Sequence, residues 1–213
     1  MSSTFQDLQK RLFTGVFCII IVLFLIGFSN TLIGFCVFGI FISFFALIAS
    51  YEYIQITNKK NIQIPLFLFS SFVVLEVILF FLAAKFLNLY NLPLSLFFAF
   101  IMLFFLYLFF KNNLCLNTVT AFTFGLLYIA MPLGILAFIV YPKHLYINIY
   151  DGRFLLIYLL VTTKITDIAG YFFGKSFGVK RLCSKVSPNK TIVGTVAGIF
   201  FSTITSICFF YLA

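Results

Sequence analysis

Charge is scarce in this chain. Only 9% of its 213 residues are Asp, Glu, Lys or Arg, and just five are acidic. A soluble domain of this size needs a polar surface that such a composition does not supply. Histidine is nearly absent too: His144 is the single one, and the topology derived below puts it on the outer side, so it is assigned no role. The five cysteines, Cys18, Cys36, Cys115, Cys183 and Cys208, show neither C-x-x-C nor Cys/His spacing. The sequence therefore implies no zinc site and no disulfide framework, and Cys183 reads as a reduced cytosolic thiol. Segments of alternating hydrophobicity are missing, which excludes an outer-membrane barrel. No stretch between apolar segments exceeds about 17 residues, too short for a separate soluble domain. Lys10-Arg11 precedes an apolar run, but no small-residue cleavage pattern follows, so a retained first span is expected rather than a signal peptide.

Apolar residues fill the rest. They make up 63% of the chain, with 34 phenylalanines and a mean hydropathy of +1.19. The expected fold class is all-α, a polytopic transmembrane helical bundle of about seven spans, with residues 1–213 forming one integral-membrane domain. The spans read as Leu12–Phe28, Thr31–Ser50, Pro65–Phe86, Leu92–Phe110, Val119–Tyr141, Phe154–Gly174 and Ile192–Leu212. Each is near the length that crosses a bilayer. Turn residues and charges mark the breaks between them, as at Ser29-Asn30, Asn58 to Gln63 and Lys111-Asn112-Asn113.

With the N-terminus inside, Lys10, Arg11, Lys59, Lys60, Lys111, Lys175, Lys180, Arg181, Lys185 and Lys190 are cytoplasmic, against Lys85, Lys143 and Arg153 outside. Ten basic residues against three set the orientation, and the basic loop 175–191 faces the cytoplasm. The net charge of +9 suits an anionic membrane surface or a polyphosphate ligand, although part of it serves topology. The basic residues lie in short loops beside helices, so nucleic acid is not expected as a partner.

Three charges interrupt the apolar segments. Lys164 and Asp167 lie in the sixth span on the face shared with Tyr171 and Gly174, a face expected to point into the bundle. Glu76 lies near the middle of the third span, at about the depth of Lys164. A structural Glu76–Lys164 ion pair is favoured slightly over a catalytic Glu76. Glu52, between Tyr51 and Tyr53, reads as a hydrated interfacial carboxylate. Gly170, Gly174 and Gly178, and again Gly194 and Gly198, recur every four residues, so the last two spans should pack closely against neighbours.

An aspartate at the cytoplasmic end of a helix, beside a basic loop, suits phosphoryl or nucleotidyl transfer. Such reactions bind Mg²⁺ through one or two carboxylates plus substrate phosphates and surround those phosphates with cations. Asp167 would hold Mg²⁺. Lys185, Ser187, Lys190 and Thr191 would hold phosphate oxygens, with Pro188 stiffening the turn between them. Lys175 and Lys180 add to the positive charge available for phosphate.

The run Thr166-Asp167-Ile168-Ala169-Gly170-Tyr171-Phe172-Phe173-Gly174-Lys175-Ser176-Phe177-Gly178 leads to Lys180, Leu182 and Lys185-Val186-Ser187-Pro188-Asn189-Lys190-Thr191, then Gly194 and Gly198. In order, spacing and membrane context it resembles the phosphatidate cytidylyltransferase (CDP-diacylglycerol synthase) family. Lys10-Arg11 with Thr14-Gly15, and Ala46 to Tyr53 with Glu52, are also similar to that family. The resemblance implies transfer of CMP from CTP to phosphatidic acid with Mg²⁺, giving CDP-diacylglycerol and pyrophosphate at a bacterial cell (inner) membrane. It implies Asp167 and Lys190 as catalytic residues, with Asp167 also the metal ligand. Lys175, Lys180, Lys185, Ser187, Pro188 and Thr191 are implied as substrate-binding.

The sequence departs from the family at Val193, where a glutamate is usual, and shows no counterpart of the family's C-terminal Lys-Asp, His-Gly-Gly and Asp-Arg-x-Asp signature. Residues 1–213 thus resemble the N-terminal two-thirds of such an enzyme. The remaining part is expected from further coding sequence or from a second chain, and a homodimer is left open. Two other readings stand beside this one. The first is an inactive paralogue acting as a membrane scaffold or lipid-binding protein. The second is a small ion transporter lined by Glu76, Lys164 and Asp167.

Overall fold

Apolar runs of about 20 residues close all their backbone hydrogen bonds internally as helices, which is what a bilayer demands of a spanning segment. A computed structural model of the chain describes residues 26–29, 31–86, 91–111, 115–141, 152–183 and 187–212. It contains helices α1 (Leu32–Lys59), α2 (Leu66–Lys85), α3 (Leu92–Phe110), α4 (Leu116–Val140) and α5 (Gly152–Phe177), strands β1 (Arg181–Cys183) and β2 (Ser187–Thr191), and helix α6 (Ile192–Leu212). All six helices are long and apolar enough to cross a membrane. The protein is an all-α polytopic helical bundle. The first expected span, Leu12–Phe28, lies outside the described residues except for 26–28, which are helical.

Local signals set the ends of these helices. Thr31 caps α1: its hydroxyl oxygen accepts from the Gly34 N–H at 2.9 Å and its O–H donates to the Phe28 carbonyl at 2.9 Å. Gly34 is held against that same carbonyl, with no room for a Cβ. At the other end Asn61 takes φ 59, a left-handed conformation that asparagine tolerates, and Pro65 then begins α2. Helix α1 is longer than the sequence reading, running to Lys59 rather than Ser50. The residues beyond Ser50 include Tyr51, Glu52, Tyr53 and Lys59.

The chain divides into two compact units, Met1–Tyr146 and Ile147–Ala213, and each is described by itself. In the first, α2 packs against α1, α3 and α4. Aromatic rings fill the contact: Phe104 stacks on Phe122 with centroids 3.8 Å apart, and Phe72 stacks on Phe100 at 4.7 Å. Two glycines of α4 make room for rings of α2. A Cβ at Gly125 would stand 2.7 Å from Phe69, and one at Gly134 would stand 2.5 Å from Phe80. The Tyr53 hydroxyl ties α1 to α4 by donating to the Ala121 carbonyl at 2.7 Å. Large apolar side chains are turned outward as well, among them Phe67 and Phe110, each more than four-fifths exposed. Hydrocarbon solvates such a surface, so burial here is decided by packing rather than by hydrophobicity.

The second unit consists of α5, the hairpin and α6. The two helices pack on each other along their small residues; the glycine spacing predicts close packing, and the structure shows that each is the other's neighbour. Further along, the Tyr158 hydroxyl meets Ser206 Oγ at 2.9 Å, and Phe209 packs on Phe154 and Tyr158.

Candidate active site

The basic segment read as a loop is a β-hairpin. Lys180 accepts from the Ile192 N–H at 3.0 Å, Arg181 pairs with Thr191, and Cys183 pairs with Ser187, with an irregularity between the two pairs. Residues 184–186 between the strands, Lys185 among them, lie outside the described residues, and so do the side chains of Pro188 and Asn189. Lys180, Arg181 and Lys190 are exposed along the hairpin, and Ser187 is half-buried. Lys175, in the last turn of α5, lies with its ammonium 5.6 Å from the Tyr171 ring centroid and 3.5 Å from the Tyr171 hydroxyl.

Thr191 joins the hairpin to α6. Its Oγ1 accepts from the Gly194 N–H at 3.2 Å, the bond a helix N-cap makes, and its carbonyl accepts from the Thr195 hydroxyl at 3.1 Å. The same Oγ1 would touch a Cβ at Gly174 at 3.0 Å, so the glycine lets the end of α5 close over the cap. A Cβ at Gly178 would collide with Thr191 and with the Gly174 carbonyl. Glycine at 174, 178 and 194 therefore keeps the hairpin pressed against both helices.

Deeper along α5, Thr166 meets Gly198 of α6, where a Cβ would stand 3.2 Å from the Thr166 carbonyl oxygen. The next residue is Asp167. It is exposed, and its carboxylate makes no hydrogen bond or ion pair among the described residues. At 1.5 Å of rise per residue, Asp167 lies about 10 Å along α5 from Gly174 and the hairpin. Lys164, one turn further in, is exposed as well. Asp167 and the basic hairpin thus lie in one unit at different depths, and no three His, Cys, Asp or Glu side chains gather as a metal set among the described residues.

Glu76 lies elsewhere, in the core of the first unit. It is fully buried, and neither carboxylate oxygen has a hydrogen-bond partner among the described residues. Lys164, its expected partner, belongs to the second unit. Glu52 is exposed in the C-terminal part of α1. The capping role of Thr191 and the Tyr171–Lys175 contact were not read from the sequence. A threonine immediately before the apolar run at Ile192 is the signal for the first, and i,i+4 spacing is the signal for the second.

The chain matches the cytidylyltransferase family over residues 9–213. It belongs to that family. A phosphatidate cytidylyltransferase of Bacillus subtilis is 28% identical over 211 residues, covering 95% of this chain and 71% of the relative. One of Chlamydia muridarum is 42% identical over 87 residues, covering 41% of this chain and 28% of the relative. One of Staphylococcus aureus is 36% identical over 61 residues, covering 29% and 24%. The chain thus aligns with little more than a quarter of the chlamydial cytidylyltransferase and with about seven-tenths of the Bacillus one. No solved structure gives a significant match.

Proposed function

We propose that the protein acts as a phosphatidate cytidylyltransferase in phospholipid synthesis, transferring CMP from CTP to phosphatidic acid. The observation that carries this reading is family membership across residues 9–213, combined with a basic hairpin and one open carboxylate in the same membrane unit. A phosphate oxygen of phosphatidic acid attacks the α-phosphorus of CTP. The new P–O bond forms as the bond to the oxygen bridging the α- and β-phosphorus breaks, and pyrophosphate leaves with that electron pair. Little covalent work falls to the protein, which binds, orients and neutralises.

The division of labour follows from depth. Lys180, Lys185 and Lys190, with the Ser187 and Thr191 hydroxyls, hold the phosphates of the soluble nucleotide at the hairpin. Pro188 restricts the strand between them. Thr191 already uses its oxygen as an acceptor from Gly194, so it serves phosphate as a donor. Lys175, steered by Tyr171, adds charge at the bilayer surface, where the lipid phosphate lies. Lys190 is assigned to the reacting phosphates.

Asp167 suits Mg²⁺ because it is an exposed hard carboxylate with no partner among the described residues. The ion, when bound, supplies charge neutralisation on the phosphates. Further carboxylates would come from elsewhere in the protein, from a second chain or from a second copy. Among the described residues of the second unit Asp167 is the single carboxylate, which favours one alternative, a non-catalytic scaffold that binds anionic lipid. The proposed location is a bacterial inner membrane with the N-terminus and residues 175–191 cytoplasmic, supported by the basic-residue count.

The test is transfer of label from [α-³²P]CTP into lipid by the protein in bilayers containing phosphatidic acid, alone and with any separately encoded partner. Label in the lipid fraction that is lost in Asp167→Asn supports the enzyme. No label under either condition supports the scaffold.

A further inference from the structure

The end of the first unit that carries Lys59, Lys60 and Lys111 holds a second polar feature, remote in sequence from the hairpin. A cleft of about 410 Å³ lies between the α1–α2 turn and the end of α3, lined by Asn58, Asn61, Gln63, Tyr107 and Lys111 over a floor that includes Leu108. That volume falls in the range of small-ligand sites. Its lining contains one cation, three side-chain amides, a phenol and no carboxylate.

The geometry is specific. Lys111 follows the last residue of α3, and its ammonium donates to the Tyr107 hydroxyl at 3.2 Å while lying 5.5 Å from the ring centroid. Tyr107 therefore holds the ammonium at the cleft, and two of its three N–H donors remain for a ligand. Opposite, the left-handed turn at Asn61 keeps three amide-bearing residues on one short connection. Helix α2 starts beside them at Pro65 with no side-chain cap and no acid in its first turn, which leaves first-turn N–H groups facing the same end. Beside the apolar Ile64, Pro65 and Leu108, the lining offers ammonium and amide donors and no carboxylate, so it favours an anion. Its place at the end of membrane-length helices is where lipid phosphates lie.

We propose that this cleft binds the phosphate group of an anionic phospholipid, or free phosphate of the same chemistry, with Lys111 as the charged anchor and Asn58, Asn61 and Gln63 as neutral donors. The site is independent of the hairpin and uses none of the residues assigned to CMP transfer.

Native mass spectrometry of the whole protein, released from detergent containing a defined ratio of phosphatidylglycerol to phosphatidylcholine, reads this directly. The wild type should retain one phosphatidylglycerol that Lys111→Gln binds about tenfold more weakly, since a charge-assisted hydrogen bond is lost. Lys111→Arg should keep most of the binding, which separates charge from folding. Tyr107→Phe should weaken it by a smaller factor. Millimolar inorganic phosphate forms the second arm. If it displaces the lipid, the phosphate alone is recognised, and if the lipid stays, the whole headgroup is recognised. Equal phosphatidylglycerol retention by wild type and Lys111→Gln, both folded, would overturn the proposal.

Discussion

Gly194 of α6 lies so close to α5 that a Cβ placed on it would stand 2.5 Å from the carbonyl oxygen of Gly170. Backbone meets backbone there, and neither side can yield as a flexible side chain would. Gly194→Ala should therefore force the helices apart at the hairpin and cost about 1–3 kcal/mol. Gly198→Ala, whose Cβ would meet Thr166 at 3.2 Å, should cost less. Thermal unfolding in one detergent ranks the two, and the reverse order would contradict this packing.

Thr191 has a structural role that can be separated from any role with ligand. Loss of its cap to Gly194 in Thr191→Val should cost about 1 kcal/mol, while Thr191→Ser retains the oxygen and most of the stability. The same melting measurement checks this. A Val variant as stable as the wild type would mean that the cap does not hold the hairpin to α6.

Glu76 is buried with both oxygens unpartnered among the described residues, which costs free energy wherever no compensating contact exists. Glu76→Met, close in volume and apolar, should raise the melting temperature by a few degrees, on the order of 1–3 kcal/mol for a chain of this size. A lower melting temperature would instead mean that a partner satisfies the carboxylate, and Lys164 is the first to mutate in that case.

Cys115 occupies the N-cap position of α4, makes no side-chain capping hydrogen bond, and is exposed. The Asn117 and Thr118 backbone N–H groups favour its thiolate and lower its pKa below the ordinary thiol value. A lowered pKa keeps the thiolate present to lower pH. In a variant retaining only Cys115, alkylation by iodoacetamide should therefore show a midpoint below that of a free thiol. A midpoint at or above it would contradict thiolate stabilisation by the Asn117 and Thr118 N–H groups.

Much of this architecture was legible in the sequence because hydrocarbon imposes a length and a composition on every span. The six described spans follow the apolar runs, and the glycine repeats pointed to close packing of α5 and α6 without naming their neighbours. Three things were not legible. The hairpin was hidden because Lys180 to Thr191 has the charge and turn residues of a loop, and its strands are defined by pairing between Arg181 and Thr191 rather than by any periodicity. The extent of α1 to Lys59 was hidden because polarity ends the apolar run before the helix ends. The gap of about 10 Å between Asp167 and the hairpin is plain only once the helix is laid out, since sequence nearness made them look like one cluster.

Nucleotide binding at the hairpin is the central claim, and limited proteolysis tests it most directly. The protein, in bilayers, is digested with trypsin, and cleavage at Lys175, Lys180, Arg181, Lys185 and Lys190 is followed with and without CTP and Mg²⁺. CTP with Mg²⁺ should slow cleavage at these sites in the wild type and should not in Asp167→Asn, with GTP giving weaker protection than CTP. Equal cleavage with and without CTP would contradict the assignment of the nucleotide site to this hairpin.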